Sequence, residues 1–416
     1  MIINNITEAI GNTPLMLIEE RIHGVKGLRL YAKLELMNPY GSLKDRIATR
    51  ILDVNDARGK TVIESSSGNT AKALAGIAGA YNLPFKTITN RIKQPEVRMI
   101  LQAMGAQIKE LPGHSECPDP NDPNDALAVI DNMIRENPES YYHTNQYFNE
   151  NNIRAHNKTG IEISKDLERI DYFYGYLGTC GSTRGIGEIL KKERNTSVIG
   201  IVTEDGEYVP GGRTESELYE TGFYKSDFYN EIVKGTIQEA IDGMLILLRK
   251  AGIPCGPTTG LSYSALIKRL KNIDIEDGTT AVFIACDRIE PYMSYLQKYR
   301  PTLFEINKEN QMQIVSYDDM MTAKEIEYNE IKEDDIIIDI RSNYSYNKHH
   351  HPSSINMESH IIEEMIMLEQ PFPKNKRIIM VCAKGLISKR YAIMLERKGY
   401  DAMSLRGGYL GITDKQ

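Results

Sequence analysis

Asn38-Pro39-Tyr40-Gly41-Ser42-Leu43-Lys44-Asp45-Arg46 is the stretch on which the fold turns. A lysine in such a turn is, taken alone, a solvated surface charge. Its weight comes from three later runs in a fixed order: Ser65-Ser66-Ser67-Gly68-Asn69-Thr70, the glycine-rich Gly178-Thr179-Cys180-Gly181-Ser182-Thr183-Arg184-Gly185, and Gly256-Pro257-Thr258-Thr259-Gly260. Between these runs, short β-rich segments (29–34, 61–64, 197–202) alternate with helical stretches such as 70–81. That rhythm predicts an α/β fold with largely parallel sheet. The helix from about Asn69 carries Ala71, Ala73, Leu74, Ala75 and Ile77, small enough to lie close against a sheet. Residues 279–287 read as a last buried strand, with a tyrosine-rich helix after it ending near Arg300-Pro301.

Two of the runs have chemistry of their own. Ser66 to Thr70 lies between strand and helix, so its backbone N–H groups and hydroxyls face whatever occupies the helix N-terminus, and a carboxylate fits there. The run 178–185 comes after an apolar strand and opens a helix, the arrangement that cradles a phosphate. No Gly-x-Gly-x-x-Gly string and no acidic ribose partner accompany it, which speaks against a dinucleotide turn.

The chain has 416 residues, 41% apolar and 26% charged, enough for two or three domains with full cores. A net charge of −7 argues against a nucleic-acid or anionic-membrane surface and for small metabolites or protein partners. No run approaches 18 consecutive apolar residues, and the first residues lack a basic segment leading into an apolar one, so a cytoplasmic location is expected. The five cysteines include no Cys-x-x-Cys pair and read as thiols rather than as a disulfide framework or zinc site. His349, His350 and His351 are adjacent and cannot all face one ion, so no metal site is expected. The proline-rich segment 113–124 reads as a surface loop, and 301–312, without periodicity, as the neighbourhood of a linker.

In order, the four runs resemble the cysteine synthase and cystathionine β-synthase family of fold-type II pyridoxal-phosphate enzymes, beginning at Ile10-Gly11-Asn12-Thr13-Pro14-Leu15 and extending to about residue 300. The resemblance implies a two-subdomain, tryptophan synthase β-like α/β fold over 1–303. It implies pyridoxal 5′-phosphate held by Lys44, whose amine serves as the covalent anchor and then as general base for the α-proton. Asn69 is implied as the residue at the cofactor's 3′-oxygen, and Gly178, Thr179, Cys180, Gly181 and Ser182 as the run at its 5′-phosphate. Thr258 is implied at the pyridine nitrogen, where a neutral hydroxyl disfavours a long-lived carbanion and favours prompt loss of a β-leaving group. Ser66, Ser67, Thr70 and Gln146 are implied as the substrate carboxylate clamp. Cys180 stands where the family usually has glycine. Arg213, in the region that admits the second substrate, is our candidate reader of an anionic leaving group or donor.

The last hundred residues resemble the rhodanese sulfurtransferases through Ile336-Ile337-Ile338-Asp339-Ile340-Arg341, His350-His351-Pro352-Ser353-Ser354-Ile355-Asn356, Cys382-Ala383-Lys384-Gly385 and Leu405-Arg406-Gly407-Gly408. This implies a small α/β domain over 313–416, joined by a linker at 304–312. Cys382, between a strand and a helix N-terminus, is placed to carry persulfide sulfur. Rhodanese loops commonly read Cys-x-x-Gly-x-Arg, and here Ile387 takes the arginine position, leaving Lys384, Lys389 or Arg390 to provide the positive charge.

The expected reaction is β-replacement on an O-activated serine through an aminoacrylate, giving cysteine or a related sulfur amino acid, with Cys382 supplying the sulfur. Partners would be the amino-acid substrate, a sulfur donor (small or a protein carrier) and, by family habit, a second copy in a homodimer. An amine nucleophile giving a diaminopropionate-type product, or a non-catalytic docking role for the C-terminal module, are the alternatives.

Overall fold

Three sheets organise the chain, described here from a computed structural model over residues 2–89, 92–111, 125–304, 315–367 and 371–413. The loop expected at 113–124 and residues 305–312 of the expected linker lie outside these. The chain divides into two units, Met1–Lys109 with Ile130–Leu296, and Glu110–Val129 with Gln297–Gln416.

The first unit holds a six-stranded sheet in the order Leu15–Ile18, Leu28–Lys33, Thr279–Ile284, Tyr172–Tyr176, Ser197–Thr203, Glu231–Gly235. Only Leu15–Ile18 pairs antiparallel, at the edge. Its central strand Thr279–Ile284 is buried throughout, as in a sheet covered on both faces, the apolar run Ala281–Ile284 and the two threonines before it alike. A second, four-stranded sheet runs in the order Gln107–Glu110, Phe85–Thr89, Thr61–Glu64, Tyr141–His143.

Parallel topology decides where the motifs end up. In open α/β sheets ligands bind beyond the carboxyl ends of the strands. Glu64 ends one strand and leads into Ser65–Thr70; Tyr176 ends another and leads into 178–182; Ile284 ends a third and leads into Cys286-Asp287. The helix Asn69–Ala80 buries Ala71, Ala73, Leu74, Ala75, Ile77 and Ala78, so its small residues do pack into the core. The strand read at 279–287 stops at Ile284, and residues 285–287 turn across the site instead.

In the second unit a five-stranded parallel sheet runs Glu325–Ile326, Asp401–Leu405, Arg377–Val381, Ile336–Asp339, Ser354–Asn356. Strands Ile336–Asp339 and Arg377–Val381 alternate between two cores. Ile338, Ile378 and Met380 pack with the helix Ile387–Arg397 on one face, while Ile337, Ile379 and Val381 pack with Ile326 and Leu405 on the other.

Candidate active site

Lys44 opens the helix Lys44–Ile51, its N–H donating to Ser42 Oγ at 3.1 Å. The side chain is half-buried, and burial pushes its ammonium pKa down against the opposing pull of Cys286, Asp287 and Cys180. Those two thiols are themselves pushed up, Cys286 to about 12 by burial and then by Asp287, so both are neutral at pH 7. Asp287, whose own carboxyl burial pushes upward, is the acid of the set that opposes the fall of the Lys44 pKa. A lysine so placed reaches its neutral, nucleophilic form more readily than one in water.

Around it the remaining runs converge. Thr258, at the start of the helix Pro257–Lys271, is buried and its hydroxyl engages the Cys286 thiol. Asn69 Nδ2 donates to Asp287 Oδ2 at 2.6 Å and to Tyr292 Oη at 3.2 Å. Thr70 Oγ1 donates to Gln146 Oε1 at 2.7 Å, and Gln146 Nε2 to the Ser65 carbonyl at 2.8 Å. Ser66 Oγ accepts from the N–H groups of Gly68 and Ala71, which leaves its own proton to donate, while Ser67 is exposed. Residues 76 positions apart thus form one polar wall at a helix N-terminus.

That wall rests on Glu64, which sequence reading passed over. Its carboxylate accepts from Ser65 N–H at 2.8 Å, Gln146 N–H at 3.1 Å and Thr144 Oγ1 at 2.5 Å. Burial nevertheless pushes its pKa up to about 7. A charged residue at the buried end of an apolar strand was the available signal.

The glycine-rich run forms a cradle at the start of the helix Gly181–Arg194. The first bond back into the helix comes from Arg184 N–H to the Cys180 carbonyl, so the N–H groups of Gly181, Ser182 and Thr183 belong to the open first turn. Glycine is required here by close approach: a Cβ on Gly181 would lie 2.1 Å from Asn152 Oδ1, and one on Gly178 would lie 2.7 Å from the Gly211 carbonyl. Cys180 takes the left-handed conformation, φ 65°, that glycine adopts without strain. Its buried thiol accepts from Thr221 Oγ1 at 3.7 Å. Asn152 Nδ2 donates both to the Gln146 carbonyl at 2.7 Å and to Thr179 Oγ1 at 3.3 Å, joining the wall to the cradle. Arg213 is half-buried, 5.7 Å from the Tyr147 ring centroid, with Nη1 donating to the Glu217 carbonyl at 3.3 Å.

Behind Lys44 lies a second feature that sequence reading missed. Arg46 donates to Glu35 at 2.7 Å and to Glu162 at 2.6 Å, and Lys33 Nζ reaches Glu162 at 2.9 Å. Thr13 Oγ1 and Asn38 Nδ2 also donate to Glu35, so the cluster pins both ends of the turn that carries Lys44.

In the second unit, Cys382 is buried directly after its strand. Its sulfur accepts from Gly385 N–H at 3.1 Å and from Ser388 Oγ at 3.2 Å, and Ser388 in turn meets Ser404 Oγ at 2.8 Å. Lys389 is paired with Glu325 at 3.2 Å, and Lys384 is exposed. Ile387 packs against the core. Arg341, held by Asp339 at 2.6 Å, lies 3.8 Å over the Tyr409 ring. His350 stacks on Tyr346.

A neutralisable amine, a polar wall suited to a carboxylate and a phosphate cradle with glycine at its two closest approaches together fit pyridoxal phosphate. Residues 6–287 match the model of the pyridoxal-phosphate dependent enzymes, and residues 322–415 match that of the rhodanese-like domain. Among curated relatives, cystathionine β-synthase of Apis mellifera is 31% identical over 70% of this chain and 61% of its own length. Cysteine synthase B of Salmonella typhimurium is 30% identical over 70% of this chain and 95% of its own. The crystal structure of a cysteine synthase from Entamoeba histolytica superposes with a TM-score of 0.63 at 28% identity, over 74% of this chain and 92% of that one. The chain therefore belongs to the pyridoxal-phosphate dependent enzymes and carries, after that catalytic part, a rhodanese-like domain.

Proposed function

We propose that the chain catalyses β-replacement on an O-activated serine to form cysteine or a related sulfur amino acid, and that the rhodanese-like domain supplies the sulfur from a Cys382 persulfide, which a small-molecule thiol reduces to release sulfide, the thiol being oxidised to its disulfide. In this reading residues 1–303 form the cofactor-dependent part, 304–312 the linker and 313–416 the sulfur module. The observation that carries it is the half-buried Lys44 beside Asp287, which accepts from Asn69 at the start of the helix whose next residue, Thr70, meets Gln146.

Pyridoxal phosphate, when bound, supplies the electron sink that lets the β-substituent leave. The chain's own residues do the rest. Ser66, Ser67, Thr70 and Gln146 bind the substrate carboxylate, fixing the α-carbon. Lys44 would hold the cofactor through its amine and, as a free amine, accept the α-proton at Nζ. Thr258 would meet the ring nitrogen without charging it, and Gly178 to Ser182 would hold the phosphate through N–H groups. Arg213 reads an anionic leaving group or donor. At Cys382, Gly385 N–H and Ser388 Oγ stabilise the sulfur by hydrogen bonds rather than by the usual arginine.

Absorbance of the loaded enzyme tests the reading. O-acetylserine should shift the cofactor band of about 410 nm, and sulfide should restore it. No shift with O-acetylserine, O-phosphoserine or serine would reject β-replacement. Cys382→Ser should abolish turnover with a persulfide donor and spare turnover with free sulfide; equal loss of both would reject the relay.

A further inference from the structure

Asp287 and Lys72 belong to none of the runs that define the site, yet both are buried beside it. Asp287 is 3% exposed; its Oδ2 accepts from Asn69 Nδ2 at 2.6 Å and from the Tyr292 hydroxyl, while its Oδ1 has no hydrogen-bond partner among the described residues. Lys72, 7% exposed, lies one turn along the same helix as Asn69, in electrostatic range of Asp287 and Asp45. Burial pushes the Asp287 carboxyl above the ordinary range, and the Tyr292 hydroxyl, the Lys72 charge, the Asn69 amide and the Lys44 charge pull in the opposite direction.

An asparagine amide is nearly symmetric in shape but not in chemistry: one end only donates and the other only accepts. An ionised carboxylate only accepts. The amide nitrogen of Asn69 is therefore the end that must face Asp287, and one hydrogen is committed there. The other now makes the longer contact with Tyr292 and is the one free to be redirected.

We propose that Asp287 is a positioning residue that fixes the flip state of Asn69, so that this side chain presents an N–H rather than a carbonyl to the 3′-oxygen of the cofactor, with Lys72 as the counter-charge beside the Asp287 carboxyl. The proposal rests on the reading of Asn69 as the residue at that oxygen. A neutral partner at 287 would accept either orientation, and half the amide population would then oppose the 3′-oxygen with a carbonyl.

The test compares binding of pyridoxal 5′-phosphate and its 3-deoxy analogue to the cofactor-free full-length chain, by equilibrium dialysis. The affinity ratio of the two isolates what the 3′-oxygen contributes. Asp287→Asn should shrink that ratio about twofold, the factor set by halving the competent amide population. Lys72→Met, which leaves Asp287 in place, should shrink it in the same direction by a smaller factor and serves if Asp287→Asn does not fold. Equal weakening of both ligands, with the ratio unchanged, would reduce Asp287 to a packing role and overturn the proposal. Asn69→Ala is the control on the parent reading: if it leaves the ratio at the wild-type value, Asn69 is not at the 3′-oxygen, and the assignment of Asn69 fails rather than the coupling of Asp287 to it.

Discussion

Arg46 Nη2 meets Glu162 Oε2 at 2.6 Å across 116 positions of sequence, and the same guanidinium holds Glu35 from its other edge. The pair fixes the helix that Lys44 begins to the helix Asn151–Asp166, which carries Asn152. Removing Glu162 leaves Arg46 half-paired and Lys33 with only the Thr13 carbonyl, in surroundings where both cations are buried. Glu162→Ala should cost ~3–5 kcal/mol, the range for breaking a buried pair. The expected outcome is a lowered unfolding midpoint in urea with cofactor bound; a change under about 1 kcal/mol would place the pair among the surface kind.

The acid–base balance of the first unit predicts a stability maximum on the mildly acidic side. Burial raises the Glu162 carboxyl, but hydrogen bonds and charge from Arg46 and Lys33 outweigh it and bring the pKa to about 2, below its ordinary 4.5. A depressed carboxylate contributes fully above 4.5, and that contribution drains away as pH falls toward 2. Asp45 and Glu64 run the other way. Burial raises both to about 7, so the folded state holds their protons more tightly than the unfolded chain, and stability falls as pH rises from about 4 to 7. Thermal midpoints recorded between about pH 3 and 8 should therefore peak near about pH 4 and fall from there toward about pH 7; a midpoint rising steadily to about pH 8 contradicts the assignment.

Glu64 sets the wall without touching the substrate. Glu64→Gln must turn an amide N–H toward one of the donors Ser65, Thr144 or Gln146, displacing that group by unfavourable contact. KM for the amino-acid substrate should rise about tenfold, equivalent to ~1.4 kcal/mol, with kcat changed less than about threefold. Steady-state kinetics decide, and an effect on kcat alone would move Glu64 from the wall to the chemistry.

At Cys180 the backbone conformation sets the tolerance. A left-handed residue with a Cβ costs roughly 1 kcal/mol, and branching at Cβ adds to it. Cys180→Gly should leave cofactor affinity within about threefold, the relief of strain offsetting the loss of the buried thiol. Cys180→Val should weaken cofactor binding at least about tenfold, read by dialysis against pyridoxal phosphate. Equal affinity of the two variants would show that this φ does not matter to the cradle.

Ser388 predicts the behaviour of the sulfur module. Ser388→Ala removes one of the hydrogen bonds donated to Cys382 sulfur and leaves Ser404 without that partner. Alkylation of Cys382 by iodoacetamide, and thiosulfate to cyanide sulfur transfer by the full chain, should both slow about tenfold. Unchanged rates would assign the anion's stabilisation to the backbone alone.

Much of the site is legible in the linear sequence because the runs at 38–46, 65–70, 178–185 and 256–260 are local, each a turn with its own hydroxyls, glycines or lysine. Parallel strands bring such turns together, so order along the chain is enough to place Lys44 with Asn69 and Thr258. Glu64, Asn152, Glu162 and Asp287 escape because each acts on a partner far away in sequence, and a single buried polar residue has no period or motif to announce it. Lys389 shows the converse. Its neighbourhood to Cys382 in sequence suggests a charge for the sulfur, but helical geometry turns it to Glu325.

Asn152 gives the two halves of the site a shared fate. One amide nitrogen serves the backbone of Gln146 on the side proposed for the substrate and the hydroxyl of Thr179 on the side proposed for the cofactor. Any ligand that orders one of these loops lowers the entropy that the other must surrender, and linkage makes the effect equal in both directions. Cofactor and amino acid are thereby not independent guests: an enzyme stripped of its cofactor should lose grip on substrate analogues that never touch the cofactor, and a carboxylate ligand alone should slow cofactor escape. Through one side chain, the occupancy of either loop would be felt at the other, whichever is filled first.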